Sequence, residues 1–426
     1  MSDSVAKEYT TEPIVISGYS SQRRAKSIAK QMGAEFVPAV YEMHNNEEIK
    51  PFISKDANLR DAPLIIVAGG TGSPNNIIFE TQSLQAIARS GWSGPITTVV
   101  PNLVYGRQDS NFDQRAPVGL NIALKNLFDA SDRAIICDPH NPTVTNNYFQ
   151  SKLKPYRAIH YAVPFAQQIS ALAADRIIDP RNCVVMGLDK GGATRMTEEF
   201  IAAIRGITGI DMPNKSSDIT YLDKSRDPET RKPTFHGINN RVSLKGKDVI
   251  IFEDMLDTGG SVIDGVRFLK KSEPVRSVTL FATNGLFSAP RIENTLGIAM
   301  PNGDDEAVRV KLKRMERNPD TLISINRIEQ NAGGKYGVDA IFISNNMDHA
   351  LTDPKLARAI RKSVVIHEMD TTPFVASLLN AMHNHPNRRT NSVQKRLEGD
   401  PAFRDEMPFT PTPLKPNSPL LKLARR

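Results

Sequence analysis

Residues 249–262 read VIIFEDMLDTGGSV, and this stretch decides the fold. An apolar run, typical of a buried strand, ends in two adjacent carboxylates, Glu253 and Asp254, and a DTGGS turn then leads into an amphipathic segment. Glycines let the backbone approach a ligand closely, and the N-terminus of a helix attracts anions. The stretch therefore predicts a strand, a loop that binds a phosphate monoester and a helix, with carboxylates placed to accept ribose hydroxyls or to face a magnesium ion.

The same alternation of apolar runs and helical segments continues along the chain. Besides 248–254, strand candidates occupy residues 13–17, 64–69, 96–101, 134–138, 183–189, 278–283, 339–344 and 364–369. Near-continuous apolar strands separated by helices are typical of parallel sheets that are covered on both faces. Because nine such strands exceed one short unit, the sequence predicts two α/β domains in tandem. In open α/β sheets, ligands bind at the carboxyl ends of the strands.

Composition places the 426-residue chain among ordinary globular proteins, since 39% of its residues are hydrophobic and 24% are charged. No apolar run approaches the roughly 18 residues that a membrane helix needs, and the N-terminus lacks the apolar core of a secretory signal. We therefore expect a cytoplasmic protein without membrane contact. The two cysteines, Cys137 and Cys183, lie in apolar runs, so we expect reduced thiols in the core.

The net charge of +7 is concentrated at the C-terminus. Residues 386–426 hold nine basic and four acidic side chains together with seven of the 29 prolines. Proline is excluded from helix interiors and central strands, so this segment is expected to form an extended, partly disordered tail outside the folded body. The remaining body is nearly neutral and aromatic residues make up 6% of the chain, which argues against a nucleic-acid partner.

EDMLDTGGS at 253–261 resembles the phosphoribosyl-diphosphate binding signature of type I phosphoribosyltransferases and of the ribose-phosphate diphosphokinases. Three other segments resemble the diphosphokinases in particular: YGRQD at 105–109, CDPH at 137–140, and the stretch ending in Asp189, Gly191 and Gly192. The resemblance implies two tandem type I phosphoribosyltransferase-like domains, each a mostly parallel sheet flanked by helices. It places them at 13–165 and 166–385, after an extension at 1–12, with an insert near 289–338 and the tail at 386–426.

The activity that the resemblance implies is transfer of the diphosphoryl group of MgATP to the anomeric hydroxyl of ribose 5-phosphate, with Mg²⁺ as cofactor. The implied ATP-binding residues are Arg107, Gln108 and Asp109, together with His44, Asn46 and Glu48 lent by a neighbouring subunit. A shared adenine pocket of this kind implies a homo-oligomer based on dimers, up to a hexamer. The implied ribose-phosphate ligands are Asp189, Glu253, Asp254, Asp257, Thr258, Gly259, Gly260 and Ser261, and the implied metal-associated residues are His140, Asp138 and Asp189.

Lys224-Ser225-Arg226 matches the Lys-x-Arg pair of a mobile loop that, in these enzymes, closes over ATP. Diphosphoryl transfer moves negative charge onto phosphoryl oxygens, and positioned cations stabilise that charge. The resemblance thus implies that Lys224, Arg226 and His140 are catalytic. By composition alone, the same segment is typical of a solvated surface loop.

Other functions stay open at this stage. The acceptor could be a larger ribose ester such as ADP-ribose, since the 289–338 insert and the ATP segment depart from the shorter enzymes. A catalytically silent regulatory homologue is a second alternative, although the retained Lys224, Arg226 and His140 argue against it. A phosphoribosyltransferase is disfavoured because it needs neither an ATP segment nor two full α/β domains.

Overall fold

The computed structural model describes residues 12–46, 48–59, 62–90, 94–110, 117–215, 218–226, 233–240, 242–288, 292–301, 307–316, 322–384 and 409–425. The predicted extension at 1–12 therefore lies almost entirely outside the described residues, as does the first part of the predicted tail.

A six-stranded parallel sheet forms the first half of the chain, with strand order β2-β1-β5-β6-β7-β8. Its elements are β1 (Ile14–Ser17), α1 (Gln22–Met32), β2 (Glu35–Pro38), the hairpin of β3 (Val40–Met43) and β4 (Ile49–Phe52), β5 (Leu64–Val67), α2 (Pro74–Ser90), β6 (Ile96–Val100), α3 (Gly119–Phe128), β7 (Arg133–Cys137), α4 (Pro142–Ser151) and β8 (Tyr156–Ile159). All four residues of β5 are buried, as expected for a central strand with helices on both faces.

A five-stranded parallel sheet forms the second half, with strand order β17-β16-β13-β12-β9. Its elements are α5 (Ala162–Ala174), β9 (Cys183–Met186), α6 (Lys190–Thr208), β10 (Tyr221–Arg226), β11 (Pro233–Asn239), β12 (Asp248–Leu256), α7 (Gly260–Ser272), β13 (Ser277–Gly285), β14 (Ile292–Pro301), β15 (Ala307–Glu316), α8 (Ile323–Gln330), β16 (Ala340–Ser344), α9 (His349–Thr352), α10 (Pro354–Lys362), β17 (Ile366–Met369), α11 (Thr372–Asn384) and α12 (Pro419–Ala424). β10–β11 and β14–β15 are antiparallel hairpins outside the sheet.

The α/β fold with parallel sheets is confirmed, and all nine predicted strands are present. The sequence prediction missed β2 and β8, which are the two edge strands of the first sheet. Both are partly exposed, with Glu35 and Pro38 facing solvent in β2, so neither shows a continuous apolar run.

One hydrophobic core crosses from the first half to the second. It contains Val67 and Ile135 of the first sheet together with Phe281 and Phe342 of the second. Phe165 of α5 belongs to the same core, with its ring centroid 5.1 Å from that of Phe252 and 5.3 Å from that of Phe281. Since both sheets bury side chains in this shared core, the two halves are packed together and their strand ends have fixed relative positions.

The predicted tail differs from expectation over residues 409–425, which pack against the body. Leu420 is 1% exposed, and its N–H donates to the carbonyl of Asp339 (3.2 Å). The Lys415 ammonium donates to the carbonyls of Ile360 (3.0 Å) and Ile366 (2.7 Å). Leucines spaced between the prolines provide apolar surface for burial, and Pro419 occupies the first turn of α12, where it is tolerated. The expectation of a tail outside the body is therefore wrong for this segment.

Both thiols are buried and unpaired, as the sequence predicted. Burial raises the pKa of Cys137 to about 11, so this thiol stays protonated at neutral pH. Within the described residues, no helix has both the length and the apolar character that a membrane crossing requires.

Candidate active site

The loop between β12 and α7 has the geometry that its sequence predicted. Gly259 has a φ of +74°, a conformation that favours glycine, and it turns the chain directly into α7. No side chain among the described residues caps the first turn of this helix, so its backbone N–H groups remain available. Asp257, Thr258 and Gly260 are partly exposed. The loop can therefore bind a phosphate group with backbone donors and the positive end of the helix dipole.

His140 and Asp254 meet across the two halves of the chain. His140 follows β7, Asp254 lies on β12, and His140 Nδ1 is 2.7 Å from Asp254 Oδ2. Asp254 is buried, while a quarter of the His140 side chain is exposed. The contact fixes the imidazole through Nδ1, so Nε2 is the ring atom that a ligand can reach.

Arg107 connects the predicted ATP segment with the phosphate loop. Its Nη1 donates to Asp257 Oδ2 at 2.7 Å, although the two residues are 150 positions apart. The other oxygen of Asp257 accepts the Ser288 N–H at 3.3 Å. Gly106 lies close to both His140 and Met255, because a Cβ at this position would be 3.5 Å from His140 Cβ and 3.9 Å from the Met255 methyl. The segment at 105–109 and the loop at 257–261 thus share one site.

Gln108 and Asp109 also anchor this segment locally. The Gln108 carbonyl accepts the N–H of Leu120 in α3 (3.0 Å). Asp109 Oδ2 accepts from Asn141 Nδ2 (2.7 Å), and Asn141 caps α4. Gln108 thus attaches residues 105–109 to α3, and Asp109 attaches them to the start of α4.

Asp189 caps α6 and pairs with Lys224. Its Oδ1 accepts the Gly192 N–H at 2.8 Å, and its Oδ2 lies 3.0 Å from Lys224 Nζ. The β9–α6 turn adjoins β12, since a Cβ on Gly192 would be 3.9 Å from Glu253 Oε1. Asp189, Glu253 and Lys224 are therefore grouped beside the phosphate loop.

The predicted loop around Lys224 is a hairpin strand in the structure, which corrects that expectation. Residues 221–226 form β10, pairing antiparallel with β11, and a register shift falls between Asp223 and Lys224. Only 6% of the Lys224 side chain is exposed, so this residue is not a solvated surface lysine. The backbone of Arg226 belongs to β10, but its side chain lies outside the described residues.

Asp138 differs from the expectation of a metal-associated residue. It is buried with a φ of +36°, and its carboxylate accepts from Thr283 Oγ1, from the Tyr161 N–H (3.3 Å) and from His160 Nδ1 (3.0 Å). These bonds tie the end of β7 to β8 and β13. Both oxygens have protein donors and only 1% of the side chain is exposed, whereas 42% of the Asp189 side chain is exposed, so Asp138 serves as a structural residue here.

The remaining carboxylates can hold a magnesium ion with the help of substrate. Among the described residues, no group of three or more His, Cys, Asp or Glu side chains is arranged as a metal cage. Magnesium is commonly bound by one or two carboxylates, with waters and substrate phosphates completing the shell. Asp189 and Asp254, at the ends of neighbouring strands, fit that requirement.

His44, Asn46 and Glu48 lie together in the turn between β3 and β4. The His44 N–H donates to the Glu48 carbonyl (2.8 Å), and all three side chains are exposed. In the part of the chain that the structure describes, no hydrogen bond or ion pair joins this turn to residues 105–109. Within one chain, the structure does not bring these residues to the other ATP-segment residues.

A cleft of about 800 Å³ lies between the strand ends of the two sheets. Tyr105, Arg107 and Gln108 of the predicted ATP segment line it, together with residues that the sequence did not single out, among them Tyr19, Thr71, Asn102 and His349. Burial lowers the pKa of His349, which uses Nε2 to donate to the Gly285 carbonyl at 2.6 Å. Tyr105 has a φ of +61°, and backbone strain of this kind clusters at functional sites, which agrees with its place in the 105–109 motif.

Two parallel sheets with a DTGGS loop at a strand end define a protein of the type I phosphoribosyltransferase-like class. The model of the N-terminal domain of ribose phosphate pyrophosphokinase matches residues 13–130, and that of the phosphoribosyl transferase domain matches residues 155–292. Together the two matches cover more than half of the chain. The chain belongs to the ribose-phosphate pyrophosphokinase family, as a divergent member.

Curated relatives include the ribose-phosphate pyrophosphokinase of Aquifex aeolicus, which is 25% identical over 66% of this chain and 81% of its own length. The enzyme of that name from Saccharolobus solfataricus is 24% identical over 63% of this chain and 84% of its own length. The crystal structure of phosphoribosylpyrophosphate synthetase from Mycobacterium smegmatis matches 87% of this chain and 99% of its own, with a TM-score of 0.61 at 19% identity. That structural match bears on the fold alone.

Proposed function

We propose that the protein is a ribose-phosphate diphosphokinase, which transfers the β,γ-diphosphoryl group of ATP to the anomeric hydroxyl of ribose 5-phosphate. The observation that supports this proposal is the ion pair between Arg107 and Asp257, which joins the predicted ATP segment at 105–109 to the predicted sugar-phosphate loop at 257–261. A phosphoribosyltransferase would not need an ATP segment. The family relatives are named for the same activity.

In this proposal each strand end has a separate task. The phosphate of ribose 5-phosphate binds the N–H groups of residues 257–261, and the ribose hydroxyls donate to Glu253 and Asp254. Arg107, Gln108 and His140 orient the ATP phosphates. The anomeric oxygen then attacks the β-phosphorus in line, the bond from the β-phosphorus to the α,β-bridging oxygen breaks, the hydroxyl proton is released, and AMP leaves.

Catalysis would come from positioning and from cations rather than from covalent chemistry. Bound Mg²⁺ would neutralise phosphate charge and make the β-phosphorus more electrophilic, with Asp189 and Asp254 as its protein ligands and His140 beside it. Lys224 and Arg226 would stabilise the diphosphoryl group during transfer. Because Lys224 is paired with Asp189 in this structure, it starts within the site, and a change in the β10–β11 hairpin would exchange the carboxylate for the phosphoryl oxygens.

The turn that holds His44, Asn46 and Glu48 would complete the adenine site of a neighbouring subunit. Its exposed position at the tip of a hairpin suits contact between subunits. The proposal therefore includes a homo-oligomer, and a monomeric mass in light scattering at assay concentrations would contradict it.

The direct test supplies the purified full chain with Mg²⁺, ATP and ribose 5-phosphate and measures AMP and phosphoribosyl diphosphate. We expect both products in equal amounts, with no AMP when ribose 5-phosphate is omitted. Loss of turnover on chelation of Mg²⁺ and recovery on its return are expected as well. A chain that is folded but releases no AMP under these conditions would rule out the proposed activity.

A further inference from the structure

Helix α8 packs directly on the phosphate loop, although it follows a segment that the sequence marked only as an insert. Ile328 is 1% exposed and lies against Gly259, where a Cβ would be 2.9 Å from Ile328 Cγ1. The absence of a side chain at 259 is therefore what lets α8 approach this closely. The contact fixes α8 relative to the loop at residues 257–261.

Arg327, the preceding residue on α8, brings a guanidinium to the start of α7. A Cβ on Gly260 would be 3.3 Å from Arg327 Nη1 and 3.7 Å from Cζ. Gly260 is the first residue of α7, where the backbone donors of the phosphate loop begin. The guanidinium thus lies beside the loop that the proposed function assigns to a phosphate, in the space that a side chain at 260 would enter.

Two further contacts hold α8 in this position. At its N-terminal end, Ser324 Oγ donates to the carbonyl of Ser288 (2.7 Å), the residue whose N–H binds Asp257. At its C-terminal end, Asn331 Nδ2 donates to the Arg327 carbonyl (2.8 Å) and Asn331 Oδ1 accepts from Arg267 of α7 (2.5 Å). The backbone of Arg327 is therefore attached both to the site and to α7.

The charge of Arg327 is not used within the described part of the chain, where no ion pair or hydrogen bond of its guanidinium is found. Other arginines of the second half differ: Arg267 pairs with Asp264 (3.4 Å) and Arg276 with Asp248 (2.5 Å). An exposed arginine is ordinarily solvated. This one lies beside a loop of uncapped N–H groups, where an anion is expected.

We propose that Arg327 binds the phosphate of the ribose phosphate, as the cation that complements the backbone donors of residues 257–261. This inference rests on the proposed function, and it adds a residue that the resemblance did not supply. A phosphate monoester carries close to two negative charges near neutral pH, and the N-terminus of α7 offers only about half a positive charge. The planar guanidinium can donate two parallel N–H groups to phosphate oxygens, which a lysine cannot.

The test compares Arg327→Ala, Arg327→Gln and Arg327→Lys with the wild-type chain. We expect the first two to raise KM for ribose 5-phosphate about 10- to 100-fold, the range for loss of a charge-assisted hydrogen bond, with KM for ATP unchanged. Arg327→Lys should recover part of the loss because it keeps the charge. Arg358→Ala, which removes an exposed arginine of α10, serves as the matched control and should leave both KM values within about twofold.

Calorimetric titration with ribose 5-phosphate separates this inference from the proposed activity. If the wild type binds ribose 5-phosphate but shows no turnover, the activity is wrong, and the Kd of Arg327→Gln still tests the arginine. An unchanged KM and Kd in folded Arg327→Ala and Arg327→Gln would overturn the role of Arg327. A wild-type chain that does not bind ribose 5-phosphate would overturn both.

Discussion

Gly259 and Gly260, where the phosphate loop meets α7, have different roles. Gly259 needs its positive φ of 74° and also makes room for Ile328, so a side chain there would be both strained and crowded. Gly260 has an ordinary backbone conformation, and what it leaves open is the space beside the Arg327 guanidinium. The DTGG motif predicted the turn at Gly259. The space that Gly260 leaves for Arg327 could not be predicted, since Arg327 lies 67 positions away along the chain.

Among the site residues too, the motifs predicted the placement of some and not of others. Arg107, His140 and Asp254 were predicted from motifs, and the structure brings them together because each follows or ends a parallel strand. Asp138 was assigned to the metal because it lies beside His140 in the motif, yet its side chain is bonded to Thr283 and His160, whereas His140 is bonded to Asp254. Proximity in sequence did not decide which partners these two side chains have.

Lys224 is the residue for which the mechanism makes its sharpest prediction. Lys224→Ala should lower kcat about 100-fold or more at saturating substrates, since removal of one positioned donor to a charge that develops in the transition state has effects of that size. Asp189 keeps its bond to the Gly192 N–H, so we expect the fold to tolerate the change. Steady-state kinetics on the variant and on Lys215→Ala, an exposed lysine, would check this. An unaltered kcat in Lys224→Ala would remove the residue from the mechanism.

Among the elements, strands with unbroken apolar runs were predicted correctly. The hairpin strands β10 and β11, which form by pairing with each other, were not. β5 and β13 are buried on both faces, so their composition alone identifies them. The β10–β11 hairpin was predicted as a loop because its residues, YLDKSR and PTFHGIN, are largely polar. Its strands are defined by pairing with each other, and such pairing leaves a weak signal in sequence.

Helix α2 buries a carboxylate that makes stability depend on pH. Glu80 is 4% exposed, and its Oε1 accepts from the N–H and Oγ of Ser20, both at 3.3 Å. Burial nevertheless dominates and raises the pKa of Glu80 to about 7. The folded state therefore holds a proton that the unfolded state has lost between its ordinary pKa of 4.5 and about pH 7. Stability from this group is complete below pH 4.5 and declines as the pH rises through 7.

Glu80→Gln should remove that decline. Relative to wild type, the free energy of unfolding of the variant should increase by up to about 3 kcal/mol between pH 5 and pH 8, in proportion to the shift in pKa. Urea unfolding at the two pH values measures it, with Glu35→Gln as an exposed control that we expect to show no such change. Parallel pH profiles for Glu80→Gln and wild type would mean that Glu80 is ionised in the folded protein.

At the scale of the whole molecule, the site exists because the two halves share a core. Val67 and Ile135 of the first sheet lie in one buried cluster with Phe252 and Phe281 of the second. Arg24 of α1 adds a buried polar contact between the halves, donating to Asn345 (2.6 Å) and Tyr161 (2.9 Å). The sequence predicted two α/β units but not their relative placement, because the contacts between them join residues far apart in the chain. That placement is what brings Arg107 to Asp257.

Residues 409–425 pack on the outside of this shared core, and Leu420 is the hydrophobic residue of the segment that is fully buried. The segment binds Gln168 of α5 through Thr412, at 2.8 and 3.0 Å, and β16 and β17 lie beneath it. Leu420→Ala should lower the free energy of unfolding by about 2–3 kcal/mol, as for other large-to-small changes at fully buried sites. Lys422→Ala, on an exposed face of the same helix, should change it by less than about 0.5 kcal/mol. Urea unfolding distinguishes the two, and equal stability of Leu420→Ala and Lys422→Ala would mean that the segment lies free of the body, as its proline content alone had suggested.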